Sequence, residues 1–538
     1  MKRQFIILFL VAFAIALTSC SGRRMKTLSI DKLRDKIAGG WAGKMIGVAY
    51  GAPTEFRAQG ETYEKELKWE PAFVTGSLRQ DDIYVQLSFM MAMDEYGIDA
   101  PAEKFAESFA TAGYRLWHAN VQARKNFFDG IMPPASGSPE YSLHADDIDF
   151  QIEADYIGFM CPGMPQTSNK IADKVGHIMN YGDGVYGGMF VAALYSEAFF
   201  ETDIKKITNR ALLSIPAESD YAKCVNDVIS LHAKYPNDWR VAWKELERKW
   251  GDVDICGALE PFNIDAKLNG AYIVMGLLYG GGDFEKTMEI SIRCGQDSDC
   301  NPSNAAAVIG VIRGYSGIPD KWKRGIEPIA DSLFIFTNYS FNSAVENTLK
   351  YAKQLIQENG GIITEDEVKI KVQEPLVPPL EVSFPDVIPD YKVSVFEDDG
   401  WSWKGNWVVL NTKQRGVEKV VPYVRYSDEA GAEVNFTFNG TGAVITGDWK
   451  KDGGKADVYV DGKLHRTIDT YYWWAGEEKR DAFLWHILNL SPGKHTMRLV
   501  VTGEKKAEAT GSGIYLKGAT VFKAGMKKNE KVKLSFEK

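Results

Sequence analysis

Apolar residues recur at helical spacing through the first two thirds of the chain. Periods of three and four run through Asp31 to Ile46, Asp82 to Tyr96, Gly187 to Phe200, Asn269 to Tyr279, Phe284 to Ile292 and Ser303 to Gly314, and predict helices there. Strict alternation is nearly absent before residue 360. From about residue 391 the period becomes two. Glu433-Val434-Asn435-Phe436-Thr437-Phe438 and Ala456-Asp457-Val458-Tyr459-Val460 alternate, with turn signals at Asn439-Gly440 and Asp461-Gly462. Further strands are expected over Lys494 to Thr502 and Gly513 to Phe522. The pattern predicts a multidomain chain, with an all-α domain over 27–360 and an all-β sandwich or jelly roll over 391–525. Between them, Pro375, Pro378, Pro379, Pro385 and Pro389 give 361–390 the composition of a stiff linker.

Glycine is dense inside the expected helices, at Gly39, Gly40, Gly43, Gly47, Gly51, Gly187 and Gly188. An interior glycine costs a helix about 1 kcal/mol relative to alanine. Repeating it predicts helix backbones packed closely around a site.

The first twenty residues read as a targeting segment. Lys2 and Arg3 precede an apolar run from Phe5 to Leu17 too short to span a bilayer as a mature helix, and Leu17-Thr18-Ser19-Cys20 follows. This ending resembles a bacterial lipoprotein signal, which would make 1–20 the signal peptide, Cys20 the lipidated residue, and a bacterial membrane the anchor. Gly22-Arg23-Arg24 lacks acids, so the expected address is the cell envelope, facing the periplasm; a plain secretory peptide is the alternative.

The 538 residues carry a net charge of −9 with no dominant basic patch, which argues against a nucleic-acid partner. Cysteines 161, 224, 256, 294 and 300 have no CxxC spacing, so no zinc ribbon is expected. Half of the fourteen tryptophans lie in the β region. Trp473 and Trp474 are its best candidates for sugar stacking, although sandwich cores also absorb aromatics.

Candidate chemistry concentrates in acids. Gly295-Gln296-Asp297-Ser298-Asp299-Cys300-Asn301-Pro302 sets two carboxylates two residues apart just before a helix of small residues, with Pro302 suited to the first helical position. One carboxylate suffices for a cap; two suggest a divalent cation held by hard oxygens. Arg79-Gln80-Asp81-Asp82 opens the Ile83 to Tyr96 helix, where adjacent carboxylates repel unless a cation or solvent relieves them. Glu55 stands alone in a Gly-Ala-Pro-Thr-Glu-Phe turn.

In this order, the glycine-rich helix and the turn at 51–56, the Asp81-Asp82 pair, the Gly187-Gly188 helix, the Asp-x-Asp motif at 297–299 and Gly317-Ile318-Pro319 resemble the ADP-ribosylglycohydrolase family. The resemblance covers roughly residues 30 to 330. It implies an all-α fold holding two magnesium ions in a cleft, with Asp81, Asp82, Asp297 and Asp299 as ligands and Glu55 at the metals. Where the family has threonines, this chain has Gln80 and Cys300, which stand in the metal set; where it has an aspartate, this chain has Val48. Thiol sulfur is a poor magnesium ligand. These departures leave room for calcium, manganese or a single ion, and for a substrate other than ADP-ribose. Glu153 and Asp155 fall where the resemblance places substrate contacts and join Glu55 as candidate catalytic acids. Asp183 and Gly187 are candidate substrate-binding positions, while His177 reads as a satisfied buried histidine.

The expected activity is metal-dependent hydrolysis of a glycan or glycoside, because the β region resembles galactose-binding-like modules and the address is exported. An ADP-ribosyl or nucleoside N-glycosidase is the first alternative, and a non-catalytic sugar-binding lipoprotein the second. Sugar, linkage and oligomeric state stay open at this stage.

Overall fold

The computed structural model describes residues 25–251, 254–413, 419–474 and 476–525. The signal segment and Cys20 lie outside the described residues. Among the described residues, no helix is long and apolar enough to cross a membrane.

The expected helices are present, most of them longer than their apolar periods. Those that carry the site are α1 (Ile30–Gly51), α2 (Asp81–Tyr96), α3 (His118–Phe128), α4 (Asp183–Ala198), α5 (Ala266–Gly280) and α6 (Cys300–Arg313). Helix α1 is capped by Ser29, whose side chain accepts from the Lys32 amide. It is buried along most of its length, and its glycines explain why. A β-carbon at Gly39, Gly43, Gly47 or Gly51 would stand 2.2, 2.4, 2.5 and 2.2 Å from the carbonyl oxygens of Gly310, Ala306, Pro302 and Ser298 respectively. One glycine per turn therefore lets α1 lie backbone to backbone against α6 and the acidic octet that precedes it. The helix-propensity cost of those glycines is offset by packing no other residue would permit.

Helix α6 begins at Cys300 with Asp299 as its cap, its side chain accepting from the Cys300 amide. Pro302 is thus the third helical residue, still within the first turn where its missing N–H costs nothing.

A small sheet sits on the helical domain. Strand β1 (Met25–Ser29) pairs antiparallel with β3 (Glu367–Lys371), which pairs with β2 (Ile362–Ile363). The start of the proline-rich segment is therefore spent closing the sheet that begins the chain's described part.

The β region forms two antiparallel sheets. Its strands are β4 (Val387–Ser394), β5 (Trp401–Lys404), β6 (Val408–Lys413), β7 (Val420–Ser427), β8 (Glu433–Gly440), β9 (Gly442–Trp449), β10 (Lys455–Val460), β11 (Lys463–Asp469), β12 (Lys479–Ile487), β13 (Gly493–Val501) and β14 (Ile514–Ala524). One sheet runs β11-β10-β13-β8-β5; the other runs β12-β9-β14-β7-β6, with β4 on β14. Alternate residues Val434, Phe436 and Phe438 face the core, as period two requires. Asp461 and Gly462 both take positive φ, and this turn joins β10 to β11 as a hairpin. Asn439-Gly440 makes no hairpin, because β8 and β9 belong to different sheets and the chain crosses the sandwich there.

The two regions touch through specific bonds. Trp474 Nε1 donates to the Ala112 carbonyl at 2.7 Å, and its ring packs on Phe128 and under the Arg124 guanidinium. Arg115 pairs with Glu477 at 2.7 Å, and Lys506 with Asp129 at 2.7 Å. A cleft of about 510 Å³ lies between the regions, lined by Asn126, Trp449, Arg466 and Asp469 among others, away from the clustered acids.

Candidate functional site

Three loops and helix starts bring the acids together. The turn after α1 carries Glu55, the start of α2 carries Asp81 and Asp82, and the octet before α6 carries Asp297 and Asp299. Local bonds hold that octet. Gln296 sits at positive φ, accepts from Phe56 N through its carbonyl at 3.0 Å, and donates its amide to the Ala58 carbonyl at 2.8 Å. Its side chain bridges the Asn263 amide and the Pro261 carbonyl, both at 3.0 Å. Thr54 and Ser298 hydroxyls meet at 2.8 Å, and Asn269 Oδ1 accepts from Asn301 Nδ2 at 2.8 Å.

Ligand-type atoms of Glu55, Asp297 and Asp299 lie within 4.8 Å of one another, and so do those of Asp82, Asp299 and Cys300. Asp299 belongs to both groups. The arrangement is two adjoining oxygen-rich sites sharing one carboxylate, with Cys300 donating its S–H to Asp82 Oδ2 at 3.2 Å. Asp81 adjoins these groups without entering either, and Gln80 caps α2 in an extended conformation with no side-chain cap bond.

Crowding sets the electrostatics. Burial first, then Asp297 and Asp82, push the Glu55 carboxyl up to about 7. Burial pushes Asp297 up to about 6, and burial with the charges of Asp82, Asp297 and Glu55 holds Asp81 and Asp299 well above the usual carboxylate range. Asp297 Oδ1 is buried without a hydrogen-bond partner. Hard oxygen donors, mutual repulsion and an unpartnered buried oxygen together fit divalent cations.

Lys44, which the sequence patterns did not single out, is the counterweight. It is fully buried on α1, and its ammonium lies 3.0 Å from both Asp82 and Asp155 and 2.8 Å from the Ile152 carbonyl. Burial opposes its charge, but Asp155 and Asp82 outweigh burial and hold it protonated. The available signal was a lysine among the small and apolar residues of α1.

The candidate catalytic acids are placed differently. Glu55 is the exposed member of its group with buried Asp297 and Asp299, its side chain reaching the surface while those acids crowd its carboxyl. Glu153 is buried, takes the Asn120 amide on Oε1 and leaves Oε2 unpartnered; burial and then Asp149 push it well above its usual range. Asp155 is spent on Lys44, on Gln86 Nε2 at 3.0 Å, on the Tyr195 hydroxyl at 2.5 Å and on Asn304 Nδ2 at 3.1 Å. Asp183 starts α4, where burial and Asp146 raise it to about 7. Gly187 faces Gln151, whose Oε1 would stand 2.8 Å from an added β-carbon, so a close approach accounts for it. His177 is half-buried; its Nδ1–H donates to the Asp173 carbonyl at 2.6 Å, and its Nε2 meets the Glu381 carboxylate at 3.1 Å. Trp473 is 53% exposed, whereas Trp474 is committed to the helical region.

Residues 29–358 match the ADP-ribosylglycohydrolase family profile. A 102-residue segment is 32% identical to "A type blood alpha-D-galactosamine galactosaminidase" of Flavonifractor plautii, covering 19% of this chain and 9% of that protein. A 76-residue segment is 40% identical to "A type blood N-acetyl-alpha-D-galactosamine deacetylase" of the same organism, covering 14% and 9%. The chain thus spans 9% of the length of each of these curated relatives. A solved "ADP-ribosylglycohydrolase-related protein complex" is 15% identical with a TM-score of 0.43, covering 60% of this chain and 99% of that one.

Proposed function

This chain belongs to the ADP-ribosylglycohydrolase family, which hydrolyses glycosyl bonds, and from that premise we propose a divalent-metal-dependent glycoside hydrolase of the bacterial envelope. The observation that carries the reading is Asp299, shared between the Glu55–Asp297 group and the Asp82–Cys300 group. Asp82, Asp297 and Asp299 would hold the ions, with Glu55 beside them and magnesium the first candidate, manganese or calcium the others. When bound, such ions orient vicinal sugar hydroxyls and polarise a water. Cys300 supplies a soft atom at the edge of this set, which favours manganese over magnesium at the Asp82 side.

Glu55 is the proposed general base. Its side chain is exposed to incoming substrate and stands beside Asp297 and Asp299, where a base would meet the attacking water. It takes a proton as water oxygen bonds to the anomeric carbon, while the glycosidic bond breaks through an oxocarbenium-like transition state and a solvent proton completes the departing aglycone as its alcohol. Lys44 orients Asp82 through their ion pair, and Asp155 anchors Lys44. Phe56 and Phe262, with rings 5.0 Å apart, form an apolar wall beside Glu55.

The substrate class follows from the exported address, the β sandwich and the names of the partial relatives. An α-linked amino-sugar glycoside is the first to test, with Trp473 as the stacking residue of the sandwich. The Leu17-Thr18-Ser19-Cys20 ending supports a lipid anchor at Cys20. The family name itself favours a second reading, an ADP-ribosyl N-glycosidase. Metal-replete protein assayed on aryl α-galactosaminides and on ADP-ribosyl-arginine separates the two. Turnover of the first alone supports the proposal, and turnover of the second alone replaces it. Activity indifferent to EDTA and to Asp297→Asn removes the metal reading.

A further inference from the structure

A second cluster, chemically unlike the carboxylate site, lies on the far side of Phe262. We propose that His118, His144, Asp147 and Cys256 form a closed four-ligand site for one zinc ion that pins the Phe56–Phe262 wall beside Glu55. One ligand-type atom from each of these four residues lies within 4.8 Å of every other. Three separate segments supply them: His118 opens α3, His144 and Asp147 sit in the loop before residue 148, and Cys256 sits in the loop before α5.

The atoms converge on a point. His144 Nδ1 is 2.7 Å and His118 Nδ1 is 3.7 Å from the same oxygen, Asp147 Oδ2, and Cys256 Sγ is 3.9 Å from His118 Nδ1. Around a tetrahedral zinc, with bonds near 2.0–2.3 Å, ligand atoms stand about 3.3–3.7 Å apart. These three separations, 2.7, 3.7 and 3.9 Å, lie on both sides of that range. A Cys-His-Asp nucleophile relay is the rival reading of the same residues. It requires the thiol and the carboxylate on opposite ring nitrogens. Here both face Nδ1 of His118, which suits ligation and not proton relay.

The surroundings hold the set in place. His118 takes φ +42°, a strained angle for a side-chain-bearing residue, while Asp149 accepts from the Ala119 and Asn120 amides just after it. Asp254 accepts from the Cys256 and Ile264 amides, both at 2.9 Å, and Ile148 N donates to the Ile264 carbonyl at 3.0 Å. Two imidazoles, a sulfur and one carboxylate are a borderline-soft donor set, which selects zinc over magnesium or calcium. Binding would release the thiol proton of Cys256 to solvent.

The site's position gives it a purpose. The His118 ring stacks on Phe262 at 5.7 Å, and Phe262 packs on Phe56 beside Glu55. On the other side His144 stacks on Phe483 of β12 at 5.0 Å. One ion there would tie the Phe56–Phe262 wall to the sandwich. The inference stands whatever glycoside the protein cleaves.

The test uses the full chain after its first twenty residues, purified, stripped and reloaded with Zn2+ or Co2+. Elemental analysis after dialysis against magnesium buffer should find one zinc per chain, absent in Cys256→Ser and in His144→Ala. The cobalt form should display a thiolate-to-cobalt charge-transfer band that persists in Cys300→Ser and vanishes in Cys256→Ser. Circular dichroism establishes that each variant is folded; the near-isosteric Cys256→Ser keeps the test valid if His144→Ala is not. A wild-type cobalt spectrum without that band, or a band abolished by Cys300→Ser and kept in Cys256→Ser, overturns the proposal.

Discussion

Gly51 and Asp299 meet so closely that a β-carbon on residue 51 would stand 2.4 Å from the Asp299 Cα. The end of α1 and the start of α6 are therefore one unit, and the site's shared carboxylate is held by a glycine on another helix. Gly51→Ala forces that contact apart. It should destabilise the protein by about 1–3 kcal/mol, the usual cost of overpacking. Activity should fall more than stability alone explains, because the displaced residue is Asp299. Thermal melting and turnover measured on the same sample check this; wild-type values for both would refute it.

Lys44 is the buried cation of the cluster, and removing it leaves Asp82 and Asp155 without their shared partner. Lys44→Met should cost about 3–5 kcal/mol in denaturant unfolding, the range for breaking a buried ion pair from one side. A loss below about 1 kcal/mol would mean that the pair contributes little.

Asp183 gives a pH signature. Its folded-state carboxyl is raised to about 7 by burial and then by Asp146, whereas an unfolded aspartate titrates near 4. The neutral form is favoured on folding, so its stabilising contribution is complete below about pH 4 and is lost as pH rises through 7. The melting temperature should fall between pH 5 and pH 8, and Asp183→Asn should make that fall smaller. An unchanged or steeper fall in the variant contradicts the assignment.

Neighbouring tryptophans should behave oppositely. Trp474 joins Ala112, Phe128 and Arg124, while Trp473 is 53% exposed. Trp474→Ala should loosen the two regions, costing about 2 kcal/mol as a contact anchor does, and speed proteolysis between residues 372 and 386. Trp473→Ala should leave melting unchanged and weaken retention on amino-sugar affinity gels. If both variants melt alike, Trp474 is no anchor.

Much of the architecture was legible locally. The 3.6-residue period of α1, α2, α5 and α6 and the two-residue alternation of β8 and β10 are properties of neighbours in the chain, so they survive without knowledge of the fold. The glycines of α1 also announced close packing, because nothing else recoups their propensity cost. Less legible were the roles of single residues. Asp155 and Glu55 are both acids near glycines and aromatics, yet one is tied to Lys44, Gln86, Tyr195 and Asn304 and the other is the exposed member of its group. Asn439-Gly440 carries a hairpin's residues but spans two sheets, since strand order is not a local property.

The sequence by itself determined the two-part organisation, the family and the order of the acidic motifs. Tertiary structure alone decided that Asp299 is shared by two groups, that Lys44 neutralises Asp82, and that His118, His144, Asp147 and Cys256 converge. Those last four lie in three segments with no motif spacing, which is why cysteine arithmetic passed over them. The physical reason is common to all three: periodicity records which face of an element is buried. Which side chains meet there depends on how elements distant in sequence pack, and that is set by contacts across the whole core.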